Sequence, residues 1–391
     1  MEKITLFAQI VTRLDRFGFD RIVRKHQTDK HAKGYDSWTH LISMLFCQFA
    51  KSQSVRDISN GLRSATGNLN HLGVAKAPSK SSVSYQNKHR DWRIFRDYYF
   101  HLLDLLGQQK THRKIKFRIK SKILLLDSTT ISLCLDLFDW AHYKTAKGAV
   151  KLHTLLDYDG GLPVYVNVTT GKTGDNKGAY DIPLIPGSVV VADRFYADLY
   201  LLNVWDSSGV KFVVRHKENL QYTVLKENET PSDSPVRADQ IIEFAVPKSK
   251  QRYPKKLRRV VVWNEEHQQE IELLTNNFTW SANTIGDLYK SRWQIEIFFR
   301  EIKQLLHIKS FIGTTLNAVM IQIWTALITI LLLKYLKAKA KYKWHLSNLV
   351  AFIRLNMYTK IDLQHWLDDP FTEPSKRHIN LNQGVLFKSD A

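Results

Sequence analysis

The run Ile123-Leu124-Leu125-Leu126-Asp127-Ser128-Thr129 divides the chain. Before it, apolar residues recur at helical spacing in 4–14, 41–49 and 92–106, so residues 1–109 read as helical. After it the period changes. Residues 150–158 and 162–169 read as strands joined by the Gly160-Gly161 turn, 189–192 as a buried strand, 198–205 as a helix and 212–214 as another strand. That succession predicts an α/β fold, a mixed sheet with helices on it.

Further out, Ser54-Val55-Arg56-Asp57-Ile58 predicts a capped helix ending near Gly61, and Pro78-Ser79-Lys80-Ser81-Ser82 opens a second short helix through Asn87. Small polar and basic residues at such a start suit phosphate contacts and groove insertion, and the pair admits either a helix-turn-helix or an ordinary surface pair. The basic stretch 110–122 suits a linker or lysine-protected edge strand, and equally a DNA-backbone contact between two domains. Residues 216–280 hold polar turns between short β-like runs, a β-rich insertion. Asn283 or Thr284 can cap a long helix to about His307, and 311–391 read as a helical tail. Within the tail, 318–333 is almost wholly apolar but shorter than the roughly 20 residues that span a bilayer, which favours a buried core helix over a membrane one.

Composition narrows the class. Of 391 residues, 44% are hydrophobic and 24% charged, which excludes a mainly disordered or fibrous chain. Cys47 and Cys134 make no disulfide framework and match no zinc spacing, and Met1-Glu2-Lys3-Ile4-Thr5 opens no signal peptide, so a reducing, cytoplasmic setting is expected. Lys and Arg number 57 against 37 Asp and Glu, a formal net charge of +20. Residues 1–120 carry 23 of those bases and only 9 acids. A basic excess concentrated in this way favours a polyanionic partner, above all nucleic acid.

Three acids stand out by position. Asp127 and Asp193 each follow an apolar strand directly, where an open α/β sheet meets solvent and binds its ligands. Each taken alone also suits a turn former or helix cap. On a helical wheel started at Tyr289, Arg292, Lys303 and Glu296 fall at about 300°, 320° and 340°, and His307 and Arg300 at about 0° and 20°. One stripe thus carries a lone carboxylate among basic groups, beside an apolar face that includes Ile295, Phe298, Phe299 and Ile302. Glu301, at about 120°, points away. Three carboxylates without a Cys or His cluster select hard divalent ions, magnesium or manganese. Two such ions roughly 3.5–4 Å apart handle an in-line phosphodiester displacement. Asp157 and Asp159 read as turn formers, Asp198 as a helix-start acid, and Trp263 and Trp280 as packing residues.

The spacing Tyr289-x2-Arg292-x3-Glu296-x6-Lys303 matches the Y-(2)-R-(3)-E-(6)-K signature, and the chain resembles the insertion-sequence-four family of DDE transposases. Leu126-Asp127-Ser128-Thr129 and Ala192-Asp193-Arg194-Phe195 resemble that family's first two catalytic segments; Phe195 stands where relatives often carry glycine. The resemblance covers roughly residues 120–310. It implies a ribonuclease-H-like core with a β-rich insertion before the last acid-bearing helix, and a cut-and-paste reaction on double-stranded DNA. The terminal inverted repeats and a target DNA would be the partners, paired in a homodimer, with no membrane involved. Asp127, Asp193 and Glu296 become catalytic metal ligands for two magnesium or manganese ions. Tyr289, Arg292 and Lys303 become DNA-backbone contacts, Arg300 and His307 extend that row, and Trp293 resembles a position that stacks a flipped base. The expected organisation is a helical basic DNA-binding domain at 1–120, the first part of the core at 121–215, the insertion at 216–280, the catalytic helix at 281–310 and a C-terminal helical region at 311–391, whose surface suits dimerisation. Two alternatives stand beside it: a non-catalytic DNA-binding repressor derived from a transposase, and a metal-dependent DNA nuclease. Joined products in a strand-transfer assay separate a transposase from both.

Overall fold

The computed structural model describes residues 4–371 apart from 66, 108–118, 120, 134–137, 139–141, 145–146, 172–174, 217–219, 231–232 and 307–310. Cys134, His307, most of the basic stretch 110–122 and the end of the tail therefore lie outside the described residues.

Apolar runs set the sheet. β1 (Ile123–Leu133) lies between β3 (Lys147–Asp157), to which it is antiparallel, and β5 (Val189–Ala192), to which it is parallel. β4 (Leu162–Thr170) pairs antiparallel with β3 across the Gly161 turn, where φ is +60°, and the short β2 (His142–Lys144) also pairs with β3. β6 (Lys211–Arg215) continues parallel to β5. The order β4-β3-β1-β5-β6, with β3 running against both neighbours, is the ribonuclease-H-like arrangement expected.

The stretch 216–280 forms no separate body. Its strands β7 (Tyr222–Glu227), β8 (Val236–Phe244), β9 (Leu257–Asn264) and β10 (Gln269–Thr275) extend the same sheet, because β10 pairs antiparallel with β6. A ten-stranded sheet results among the described residues.

Side-chain alternation gives β1, β5 and β6 two buried faces. Leu124, Leu126, Val190, Ala192, Phe212 and Val214 face a layer built on α8 (Leu199–Ser207). Ile123, Leu125, Val189, Val191 and Val213 join the larger core under the remaining helices. That core takes in both ends of the chain. α1 (Leu6–Val11), α2 (Arg16–His26), α3 (Ser37–Ala50), α4 (Val55–Ser64), α5 (Lys80–His89) and α6 (Arg93–Gly107) share it with α12 (Leu316–Lys339), α13 (Leu346–Asn356) and α14 (Leu363–Asp368).

α12 is the central rod. It is apolar on every side, long enough to cross a bilayer, and enclosed by the protein: Ile321, Ile323, Ile328, Ile330 and Leu333 have no exposed surface. Trp324 stacks on Trp92 at 6.4 Å between centroids. Thr325 and Thr329 each donate to a carbonyl four residues back. The apolar faces of α12 are therefore spent on the chain's own core.

Of the two readings open for the later helix pair, the ordinary pair fits and the helix-turn-helix does not. Ser54 and Asp57 form a full capping box at α4, and Ser79 caps α5. Fifteen residues, with a 3₁₀ turn at Asn70–Leu72, separate the two helices, against the three or four of that motif.

Candidate active site

Asp127 lies inside a strand, not at its end. β1 runs on to Leu133 because β3 pairs with it throughout, but the parallel pairing with β5 stops at Leu126 opposite Ala192. Beyond that rung β1 has lost its neighbour on one side; Asp127 is the next residue of β1, and Asp193 the residue that follows β5. Both carboxylates accept the next residue's backbone N–H, from Ser128 and Arg194, each at 2.7 Å. Arg215, the residue after Val214 opposite Ala192, stands level with Asp193 on the far side.

The third acid arrives on a helix that the sequence predicts as one piece. The structure divides it into α10 (Ala282–Ser291), capped by Ser281, and α11 (Trp293–Leu306). Arg292 between them keeps right-handed helical angles, but its N–H bonds Tyr289 three residues back, a 3₁₀ step that tightens the turn. The Arg292 guanidinium lies 5.8 Å from the Tyr289 ring centre, over its face. From there Nη1 donates to Asp127 Oδ2 at 3.0 Å and Nη2 to Glu296 Oε1 at 2.7 Å. Tyr289 Oη reaches Asp193 Oδ1 at 3.4 Å. One arginine and one tyrosine thus gather all three acids, which are separated in sequence by 66 and 103 residues.

Burial dominates the electrostatics. It pushes the Asp127 carboxyl up to about 6; Arg292 and the Ser128 N–H oppose this, while Asp193 and Glu296 add to it. Burial likewise lifts Tyr289 to about 12. For Arg292 burial acts downward, yet Tyr289, Asp127, Asp193 and Glu296 together raise its pKa, so it remains a cation.

Beside the acids opens a cleft of about 530 Å³, lined by Asp127, Ser128, Glu296, Arg300, Lys303 and Gln304 among others. Arg300 and Lys303 thus stand on the same wall as Glu296. Trp293 is 53% exposed and does not line the cleft. Glu301 turns to Lys334 of α12 at 3.5 Å, away from the site. Asp198 caps α8 by accepting from Tyr200 and Leu201. Sequence reasoning missed Ser128 and Gln304, which carry no charge, and Arg215, whose place depends on the β5–β6 register.

The donor set is oxygen only, which suits a hard divalent ion and suits zinc or copper poorly. As placed, the acids are bridged by Arg292 and Tyr289, and no three His, Cys, Asp or Glu side chains among the described residues close into a metal-holding group.

A family model described as "Transposase DDE domain" matches residues 118–332, and one described as a domain of unknown function matches residues 2–75. The chain is 31% identical over 249 residues to a Geobacillus stearothermophilus protein named "Probable transposase for insertion sequence element IS5377", a match that spans 63% of this chain and 64% of that protein. Among solved structures, the "piggyBac transposase synaptic complex with hairpin DNA" aligns over 94% of this chain and 81% of its own, with 11% identity and a TM-score of 0.41.

Proposed function

The chain belongs to the DDE transposase family, and from that membership we propose that it is a metal-dependent cut-and-paste DNA transposase acting at the ends of its own element. The observation that carries this reading is the meeting of Asp127, Asp193 and Glu296 around Arg292 and Tyr289, inside the segment the family model matches.

In this reading Asp127, Asp193 and Glu296 hold the divalent ions. When bound, magnesium or manganese supplies the Lewis acid that activates a water or a 3′ hydroxyl and stabilises the departing oxygen. The chain's own residues do the rest. Arg300 and Lys303 on the cleft wall take the phosphates flanking the scissile bond, and a guanidinium does so with two parallel bonds. Arg292, released from its carboxylates, becomes a further hydrogen-bond donor to phosphate. Tyr289 holds Asp193 in place through its hydroxyl, and Trp293 offers an exposed ring to an unstacked base. Water attacks the phosphodiester at one strand end and breaks its P–O3′ bond, leaving a 5′ phosphate and a 3′ hydroxyl; that hydroxyl attacks a phosphodiester of the opposite strand or of a target duplex and displaces its 3′ oxygen. Two copies pair two ends, and the work is done in the cytoplasm.

The test uses purified protein, magnesium and a duplex carrying the inverted repeats that bracket its reading frame. Asp127→Ala, Asp193→Ala and Glu296→Ala should each abolish nicking while end binding persists. Full cleavage by all three variants would overturn the site. Free ends without joined products would make the protein a nuclease.

A further inference from the structure

Within the basic first 120 residues the longest acid-free stretch runs from Ile58 to Arg90, and α5 lies in it. α5 buries only Val83 and Asn87. Ser81, Ser84, Tyr85, Lys88 and His89 are exposed, Tyr85 by 61%, and its ring lies against the His89 imidazole with centroids 4.4 Å apart. On a helical wheel these five fall within about 140° of arc, opposite the two buried residues.

An exposed helix is usually held by an apolar stripe, which leaves some freedom of rotation. α5 is held by directional bonds instead. Its entry is fixed by Ser59, whose hydroxyl donates to Pro78 O at 2.7 Å. On its buried side Asn87 accepts from His40 Nε2 at 2.8 Å and donates to Ile312 O at 3.1 Å. Asn317 donates to the carbonyls of Asn87 and Arg90 at its exit, and Arg90 itself donates to Tyr35 O and Asp36 O. His40, Asn87 and Arg90 are almost wholly buried. Such a network sets the rotation of the helix about its axis, and rotation matters when the outer face must meet a partner in register.

The outer face offers hydroxyls, a phenol and an ammonium, with no carboxylate to repel phosphate. A major groove about 12 Å wide admits one α-helix and presents donors and acceptors that such groups read. The neighbouring α4 exposes Arg56 and Arg63, which suit the phosphates bordering a groove. We propose that α5 is the base-reading helix of the protein, entering the major groove of duplex DNA at the terminal repeat with Ser84 and Tyr85 against base edges and Lys88 beside them. This rests on the reading of the chain as a transposase that recognises its own ends. It adds the element that chooses the sequence, which lies beyond the domain of unknown function matched at residues 2–75.

The experiment compares full-length protein on two duplexes, the terminal repeat and a scrambled sequence of equal length, at several salt concentrations. Ser84→Ala/Tyr85→Ala changes no charge and removes no buried group. It should lower the preference for the repeat by about tenfold or more while affinity for the scrambled duplex holds. Thermal unfolding of the variant should match the wild type. Lys248→Ala, an exposed charge on the helix Pro247–Arg252, should leave the preference intact. Equal losses on both duplexes would mean backbone contact only and overturn base reading, as would no change. A wild-type chain without preference for the repeat would remove the reading on which the proposal rests, and the proposal with it.

Discussion

Arg292 faces three carboxylates, whereas Asp127 faces one cation and two like charges, and this asymmetry decides how the site titrates. A carboxyl whose folded pKa lies above its unfolded value stabilises the fold while protonated. That contribution is fully present below about pH 4 and is lost as the pH rises through about 6. Asp127→Asn removes the titration. Urea unfolding without added divalent ions should show the wild type losing on the order of 3 kcal/mol relative to the variant between pH 4 and pH 7. Parallel curves for the two proteins would show that Asp127 is not the titrating group. The candidate acids were legible in sequence because each Asp ends an apolar run and Glu296 falls within a basic stripe. What joins them was not: the Arg292 bond to Asp127 spans 165 residues, and no local pattern encodes it.

Between the outer strands and the helix that follows them, one guanidinium makes a direct join. Arg258 on β9 pairs with Asp239 on β8 at 2.7 Å, both nearly buried, and donates to Trp280 O at 2.6 Å in the turn that leads into α10. The bond therefore ties the outer sheet to the element that delivers Tyr289 and Arg292. Asp239→Ala strands a buried cation and should cost about 3–5 kcal/mol in urea unfolding, more than replacing both residues by apolar ones of similar volume. A loss under about 1 kcal/mol would mean that solvent reaches the pair. The strands of 216–280 were visible as short apolar runs, yet their union with the core sheet was not, since it rests on the β6–β10 rungs between 213–215 and 273–275. The step at Arg292 left no mark either, because neither glycine nor proline stands there.

Across the whole molecule, the first and last described helices close on each other. Leu6 and Phe7 donate from their backbones to Thr359 O and Met357 O at 2.8 and 3.0 Å. Gln9 donates to Ile361 O at 2.6 Å and accepts from Leu363 N at 2.8 Å. Composition gave the basic helical half but could not show that it shares one core with the tail, because shared burial leaves the same apolar period as separate burial. A chain ending at Lys339 lacks α13 and α14 and should lose cooperative unfolding in its first 64 residues. Limited proteolysis should cut there first, and an unchanged cleavage pattern would show that the closure adds nothing. Synthesis runs in one direction, so α1 emerges from the ribosome 352 residues before the carbonyl that its Gln9 requires. Through nearly all of translation that helix has only its early neighbours, Phe46 and Phe49 of α3 against Phe7, and an interrupted message leaves the closure unmade.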